Sequence, residues 1–202
     1  MKLYYSPGAC SLSPHIALRE AGLPFELVLA STKTKKLVDG TDFNTINSKG
    51  SVPVLELDNG ERLTEGPAIV QYIADQAPAS NLAPANGTMA RYRLQEWLNF
   101  ITSELHKGFS PLFNPVTTEE YKPQVRAKLA ERFAWINQQL EGKSFLMGEQ
   151  FTVADVYLFV VSNWGQYVGV DVAGFPNLVA LRARVAARPS VVEAMKAEGL
   201  IK

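Results

Sequence analysis

The sequence predicts an α/β domain followed by an all-helical domain. Three observations carry that expectation. The first 80 residues alternate short apolar strands with helices, in the order β-α-β and then β-β-α. From Pro78 to Gly87 the chain has two prolines, a glycine and no charge, and reads as a linker. Beyond it, apolar residues recur only at helical spacing. The domains are therefore placed at residues 1–80 and 87–202.

The elements follow in order. Leu3-Tyr4-Tyr5 is a short apolar strand. Ser13-Pro14 has the form of a helix N-cap followed by proline at the first helical position, with Ser11 as the alternative start. The helix continues through Ile16-Ala17-Leu18 to Gly22, a C-terminal cap. Phe25 to Leu29 is a second strand. Thr32 to Gly50 is polar and reads as loop with a short helical piece. Val52 to Leu57, the turn Asp58-Asn59-Gly60, and Arg62-Leu63-Thr64 form a hairpin. Helix resumes at Gly66 and runs to about Gln76.

In the second half, Leu94, Trp97, Leu98, Ile101 and Leu105 share one helix face, as do Val125, Leu129, Phe133, Ile136 and Leu140. Thr152-Val153-Ala154-Asp155 is a capping box, with Phe151 as its hydrophobic staple. The Val156–Val161 run that follows is apolar on all sides, which predicts a helix at the centre of its domain.

Composition narrows the function. The chain has 202 residues, 47% hydrophobic and 20% charged, an ordinary globular balance. Its 20 Lys and Arg equal its 20 Asp and Glu, which argues against a nucleic-acid binder. No apolar stretch is long enough to span a membrane, and the N-terminus lacks the apolar core of a signal peptide. A single cysteine fits the reducing cytoplasm. With one cysteine and two histidines, His15 and His106, no metal cluster is visible and no metal is expected.

Four places carry candidate chemistry. Cys10 lies between the first strand and the first helix. It is either a small apolar filler or a thiol activated by the positive end of a helix. Val52-Pro53 opens the hairpin. It is either an ordinary edge-strand proline or, as a cis bond, a way to turn Val52 toward an extended peptide ligand. Glu65-Gly66-Pro67 stands at a helix entry. An acidic side chain beside free amides suits a head group bearing both an ammonium and a carboxylate, and equally serves simple capping. Asn99, Ser103 and His106, with Lys107 following, make a polar stripe on one helix face, either solvated surface or the wall of a cleft. Gly108 and Pro111 then loosen or bend that helix.

Together these residues resemble a glutathione transferase of the bacterial beta class. The resemblance runs through Tyr5–Ser11, Lys49–Pro53, Leu63–Ile69, Glu96–Asn99, Glu104–Phe109 and Phe151–Asp155, and covers essentially the whole chain. It implies a thioredoxin-like N-terminal domain with a cis Val52-Pro53 bond, an all-helical C-terminal domain and a homodimer. It implies glutathione as co-substrate, with Cys10 against its sulfur, Lys35 at its glycine carboxylate, Val52 at its cysteinyl backbone, and Glu65 and Gly66 at its γ-glutamyl head. Asn99, Ser103 and Glu104 resemble positions that complete the site, in part across the dimer. His106 resembles the residue that hydrogen-bonds near the thiol. Tyr5, Ser11, Pro53 and Lys107 belong to the same implied substrate-binding set. Gly66 stands where the wider superfamily has a serine.

The implied activity is detoxifying transfer: glutathione, held as a thiolate, attacks small electrophilic hydrophobic substrates, with His106 donating to the thiolate or moving a proton. Phe109, Phe113 and Trp164 are the candidate apolar wall. Two alternatives stand beside it. Cys10 itself could form a mixed disulfide, as in a thiol-disulfide reductase or reductive dehalogenase. The protein could also be a non-catalytic binder of hydrophobic ligands.

Overall fold

The computed structural model describes residues 1–202. It divides into two compact units, Met1–Ala83 with Arg188–Lys202, and Pro84–Ala187. The first boundary falls inside the stretch expected as linker, which also holds a 3₁₀ turn at Pro78–Ser80.

The first unit is built on four strands, β1 (Lys2–Tyr5), β2 (Glu26–Leu29), β3 (Val54–Glu56) and β4 (Arg62–Thr64), in the order β2-β1-β3-β4. β1 and β2 are parallel because helix α1 (Leu12–Glu20) connects them. β3 and β4 pair antiparallel, the turn closed at Gly60 with φ 85. Alternation sorts the two faces. Tyr4 and Val54 pack with Ala30, Phe43 and Val52. Leu3 and Leu55, in register on adjacent strands, point the other way and are fully buried. Helix α2 (Gly66–Gln76) packs on α1, each burying an apolar face, Ile69, Val70 and Ile73 on one and Ile16, Ala17 and Leu18 on the other. The C-terminal helix α9 (Pro189–Ala197) also packs on α1, and Arg188 clamps Glu20 through two bonds of 2.6 and 2.8 Å.

Helix α1 starts earlier than Ser13-Pro14 suggests. The Ser13 amide bonds the Cys10 carbonyl at 3.1 Å and the His15 amide bonds that of Ser11 at 3.2 Å, so the helix begins at Leu12 with Ser11 as N-cap residue. Pro14 falls in the first turn, where its missing donor has no partner to lose. The other end is as expected: Gly22 adopts φ 65, with Gly22 N–H bonded to Arg19 and Leu23 N–H to Leu18.

The second unit contains α3 (Met89–Phe100), a π-helical segment (Ile101–His106), α4 (Lys107–Phe113), α5 (Lys122–Gln139), α6 (Val153–Asn163), α7 (Gly165–Val168) and α8 (Pro176–Ala186). The apolar stripes close its core: Leu94, Leu98, Ile101 and Leu105 are buried, as are Val125, Leu129, Phe133, Ile136 and Leu140. α6 is central, buried at every residue from Val153 to Ser162, and contacts α3, α8 and the π-helical segment. Its capping box is formed. Thr152 Oγ1 accepts from the Ala154 amide at 3.3 Å, and Asp155 Oδ2 accepts from the Thr152 amide at 2.8 Å. Asp155 Oδ1 also takes the Leu146 amide at 2.8 Å, so one carboxylate fixes the helix start and the turn before it. Burial outweighs these donors and pushes the Asp155 carboxyl up to about 6. Phe151 packs edge-on against Phe145 at 5.5 Å. No helix is long and apolar enough to cross a membrane.

Candidate functional site

In the first unit the site grows from the loop between β1 and α1. Gly8 has φ 69, which a side chain would strain. Ser11 Oγ accepts from the Ser6 amide at 3.1 Å and lies 3.2 Å from the Ser6 carbonyl. Ser11 is fully buried, so its hydroxyl folds the loop and is not presented to a ligand. This leaves Cys10 half-buried just before the helix, its thiol donating to the Val52 carbonyl at 3.3 Å. The Val52-Pro53 bond is cis. Cys10 therefore touches the backbone group expected to receive an extended ligand.

The turn leading to Val52 is propped by buried Asn47, which donates to the Ser51 carbonyl at 2.7 Å and accepts from the Lys49 amide at 3.1 Å. Gly50 has φ 60, and a Cβ there would lie 2.7 Å from Asn44 Oδ1. Lys35 crosses to this turn, its Nζ donating to the Gly50 carbonyl at 2.6 Å.

Glu65 sits just before α2 with φ 67 and ψ 112, a conformation costly for a residue with a side chain. Its carbonyl takes both the Ala68 and Ile69 amides at 3.0 Å. Pro67 has no amide, so Gly66 supplies the donor of that first turn for an anion. A Cβ at Gly66 would meet nothing within 4 Å, so there is open space beside that amide. The Glu65 carboxylate binds Lys49 Nζ at 2.6 Å, and the same ammonium donates to Thr64 Oγ1 at 2.8 Å. Lys49 thus occupies the place expected for a ligand ammonium. Sequence reasoning gave Lys49 no role, because nothing in its spacing marks it as Glu65's partner.

A second feature missed from sequence ties the far end of the chain to the Cys10 loop. Glu198, capping α9, accepts from the Gly8 amide through Oε2 at 2.9 Å and pairs with His15 Nδ1 through Oε1 at 2.8 Å. Arg19 Nε donates to His15 Nε2 at 2.9 Å. A guanidinium only donates, so Nε2 is the acceptor and the His15 proton lies on Nδ1. Burial, then the Glu198 charge, pushes the Tyr5 pKa above that of an ordinary phenol. Tyr5 is therefore a poor source of a phenolate.

In the second unit the polar stripe does not keep one face. The Lys107 amide bonds the Thr102 carbonyl, five residues back, and this wider turn rotates His106 away from the line of Asn99 and Ser103. Asn99, Ser103 and Lys107 are exposed, whereas His106 is half-buried. His106 Nδ1 lies 2.6 Å from the Tyr157 hydroxyl, and the His106 ring meets Trp164 edge-on at 4.9 Å. Glu104 is half-buried and paired with Arg132 at 2.8 Å. Among the candidate wall residues, Phe113 is exposed and meets Trp164 at 6.0 Å. Phe109 is fully buried between Phe133 and Trp164, so it backs the wall and is not its surface. No group of three or more His, Cys, Asp or Glu is arranged to hold a metal.

Most of these residues, Cys10, Lys35, Val52, Glu65 and His106 among them, fall in two matched regions. Residues 8–76 match the model of the glutathione S-transferase N-terminal domain and residues 100–189 that of the C-terminal domain. The chain belongs to the glutathione S-transferase family. It is 48% identical over 200 residues to glutathione S-transferase GstA of Escherichia coli O157:H7, covering 99% of this chain and 100% of that one. The bacterial beta-class glutathione S-transferase of Sphingomonas chungbukensis superposes with a TM-score of 0.96 at 50% identity, over 100% of both chains. A sphingomonad glutathione S-transferase solved with glutathione gives 0.96 at 51%, again over 100% of both. The likeness extends over the whole chain and places it with the beta class.

Proposed function

We propose that this transferase holds glutathione through the first unit and activates its thiol for attack on small hydrophobic electrophiles. The observation that carries the reading is the start of α2, where Glu65, with its strained backbone and its carboxylate on the Lys49 ammonium, directly precedes the Gly66 amide. One offers a partner for an ammonium and the other for a carboxylate, the two charges of a γ-glutamyl head group. The sphingomonad structure with bound glutathione supports this ligand.

The remaining roles follow from chemistry and likeness. Val52 receives the cysteinyl backbone and Lys35 the glycine carboxylate. His106 serves the thiolate, and Asn99, Ser103, Glu104 and Lys107 complete the site. Trp164 and Phe113 offer apolar surface to the electrophile. The family likeness supports a homodimer, and the cytoplasm suits a protein whose lone cysteine must stay reduced. Lowering the thiol by about two pKa units would favour the thiolate by about 2.7 kcal/mol.

One observation favours a second activity. Cys10 Sγ occupies the Val52 carbonyl, next to which a bound cysteinyl group would place its sulfur. Attack of the Cys10 thiolate on a glutathione disulfide, with release of one glutathione thiolate, would leave a mixed disulfide at this position. Assaying wild type and Cys10→Ala for conjugation of an electrophilic aromatic halide and for disulfide exchange separates the two. Retained conjugation with lost exchange supports transfer as the main activity. Loss of both assigns the nucleophile to Cys10, and absence of both in wild type refutes the enzymatic reading.

A further inference from the structure

We propose that a pocket in the second unit, between the end of α6, α7 and α8, binds a small organic monocarboxylate, with Arg182 meeting the carboxylate and Val170 and Val172 its apolar body. None of the residues around it is among those assigned to glutathione or to the electrophile.

The pocket has a volume of about 380 Å³, within the range that takes a small molecule. Its outer wall is firmly built. Gly169 ends α7 with φ 72, and the Val170 amide returns to the Gly165 carbonyl at 2.9 Å. Gly165 admits this close return, because a Cβ there would collide with the Val170 carbonyl oxygen. From α5, Arg126 Nε donates to the Val168 carbonyl at 2.8 Å. The chain then passes Asp171, whose Oδ1 takes the Ala173 amide at 2.8 Å. Val170 and Val172 are the apolar side chains on this wall.

The opposite wall is α8, which brings the pocket's only cation. Arg182 Nη2 donates to Asn163 Oδ1 at 2.6 Å, Nε is buried with no partner, and Nη1 makes no bond within the protein. The single anchor is a neutral amide, so this guanidinium has no counter-charge. Arg19, Arg62, Arg132 and Arg188, by contrast, each pair with a glutamate. Burial lowers the Arg182 pKa below that of an ordinary guanidinium, yet the group stays charged at neutral pH. A carboxylate entering the pocket replaces the hydration that burial removes. Nη1 is the donor it meets, since Nε is sealed from solvent.

Charge on the walls sets the class of ligand. Asp171, the pocket's one carboxylate, is exposed and turned to its own loop. One arginine and one aspartate leave a place for a single negative charge, close to Arg182 and away from Asp171. Asp171 repels the second charge of a phosphate or a dicarboxylate. The two valines favour a ligand whose remainder is apolar.

The probe is benzoate, titrated into the full-length ¹⁵N-labelled protein at neutral pH, with and without saturating glutathione. It is expected to saturate with a Kd of about 1 mM or tighter and to shift the amides of Gly165, Gly169, Val170 and Val172. Benzamide, the same shape without the charge, should bind at least about tenfold more weakly. So should benzoate on Arg182→Met, in an otherwise unchanged amide spectrum. Phthalate, with its second carboxylate, should bind the wild type weakly and gain about fivefold in Asp171→Asn, whose amide oxygen keeps the Ala173 bond. Equal binding of benzoate and benzamide, undiminished binding to Arg182→Met, displacement by glutathione, or no saturation by about 10 mM would each overturn the proposal. If Arg182→Met does not fold, the benzamide comparison and Asp171→Asn still decide.

Discussion

Replacing Asp155 with alanine should destabilise the protein more in mild acid than at neutral pH, the reverse of what an ordinary carboxylate cap does. The carboxylate satisfies two buried backbone donors, the Leu146 and Thr152 amides, both at 2.8 Å. Leaving both unsatisfied costs about 4 kcal/mol, taking about 2 for each. Against this stands the cost of burying the charge. The folded-state carboxyl lies at about 6 and its ordinary value is 3.8, so the folded chain holds the proton across that window. Stability is therefore lost as pH rises through it. At pH 7.5 the charge costs about 3 kcal/mol, and at pH 5 roughly half of that. The net loss in Asp155→Ala is then about 1 kcal/mol at pH 7.5 and about 2 kcal/mol at pH 5. Urea denaturation of both proteins at the two pH values measures it, and titrations common to both cancel in the difference. A loss that is equal at both pH values, or smaller at pH 5, would refute the reasoning.

Three further outcomes are expected. Glu65→Gln should raise KM for glutathione by about tenfold or more, the worth of a charged hydrogen bond, and leave the urea midpoint nearly unchanged, because its partner Lys49 is half-exposed. Gly50→Ala should cost about 1–3 kcal/mol in chemical denaturation, since the site combines φ 60 with a 2.7 Å approach to Asn44; an unchanged midpoint would contradict the turn geometry. Glu198→Ala should lose about 2–5 kcal/mol by stranding the His15 and Gly8 donors, and hydrogen exchange should quicken at the Gly8 amide.

What the sequence made legible was local. Gly66-Pro67 marks the start of α2, Gly22 the end of α1, and Thr152 with Asp155 the start of α6, because each signal acts within a few residues. Cys10 and Val52 stand out as motifs, and the sheet brings them to 3.3 Å. What was hidden depends on tertiary structure or on a departure from regular helix. Leu98, Ile101 and Leu105 satisfy ordinary helical spacing even though a π-helical turn runs through them, so the rotation of His106 leaves no trace in the pattern. Glu198 and His15 are 183 residues apart, and no spacing rule joins them. The family resemblance puts Ser11 in the substrate-binding set, whereas its hydroxyl is turned back onto Ser6.

The central claim is that this protein binds glutathione and holds it as a thiolate. A pH titration of the ultraviolet thiolate absorbance of saturating glutathione on Cys10→Ala protein tests it without interference from the protein's own thiol. The bound sulfur should ionise about two pH units below free glutathione. Ionisation at the free value, or no saturable binding at all, would contradict the account.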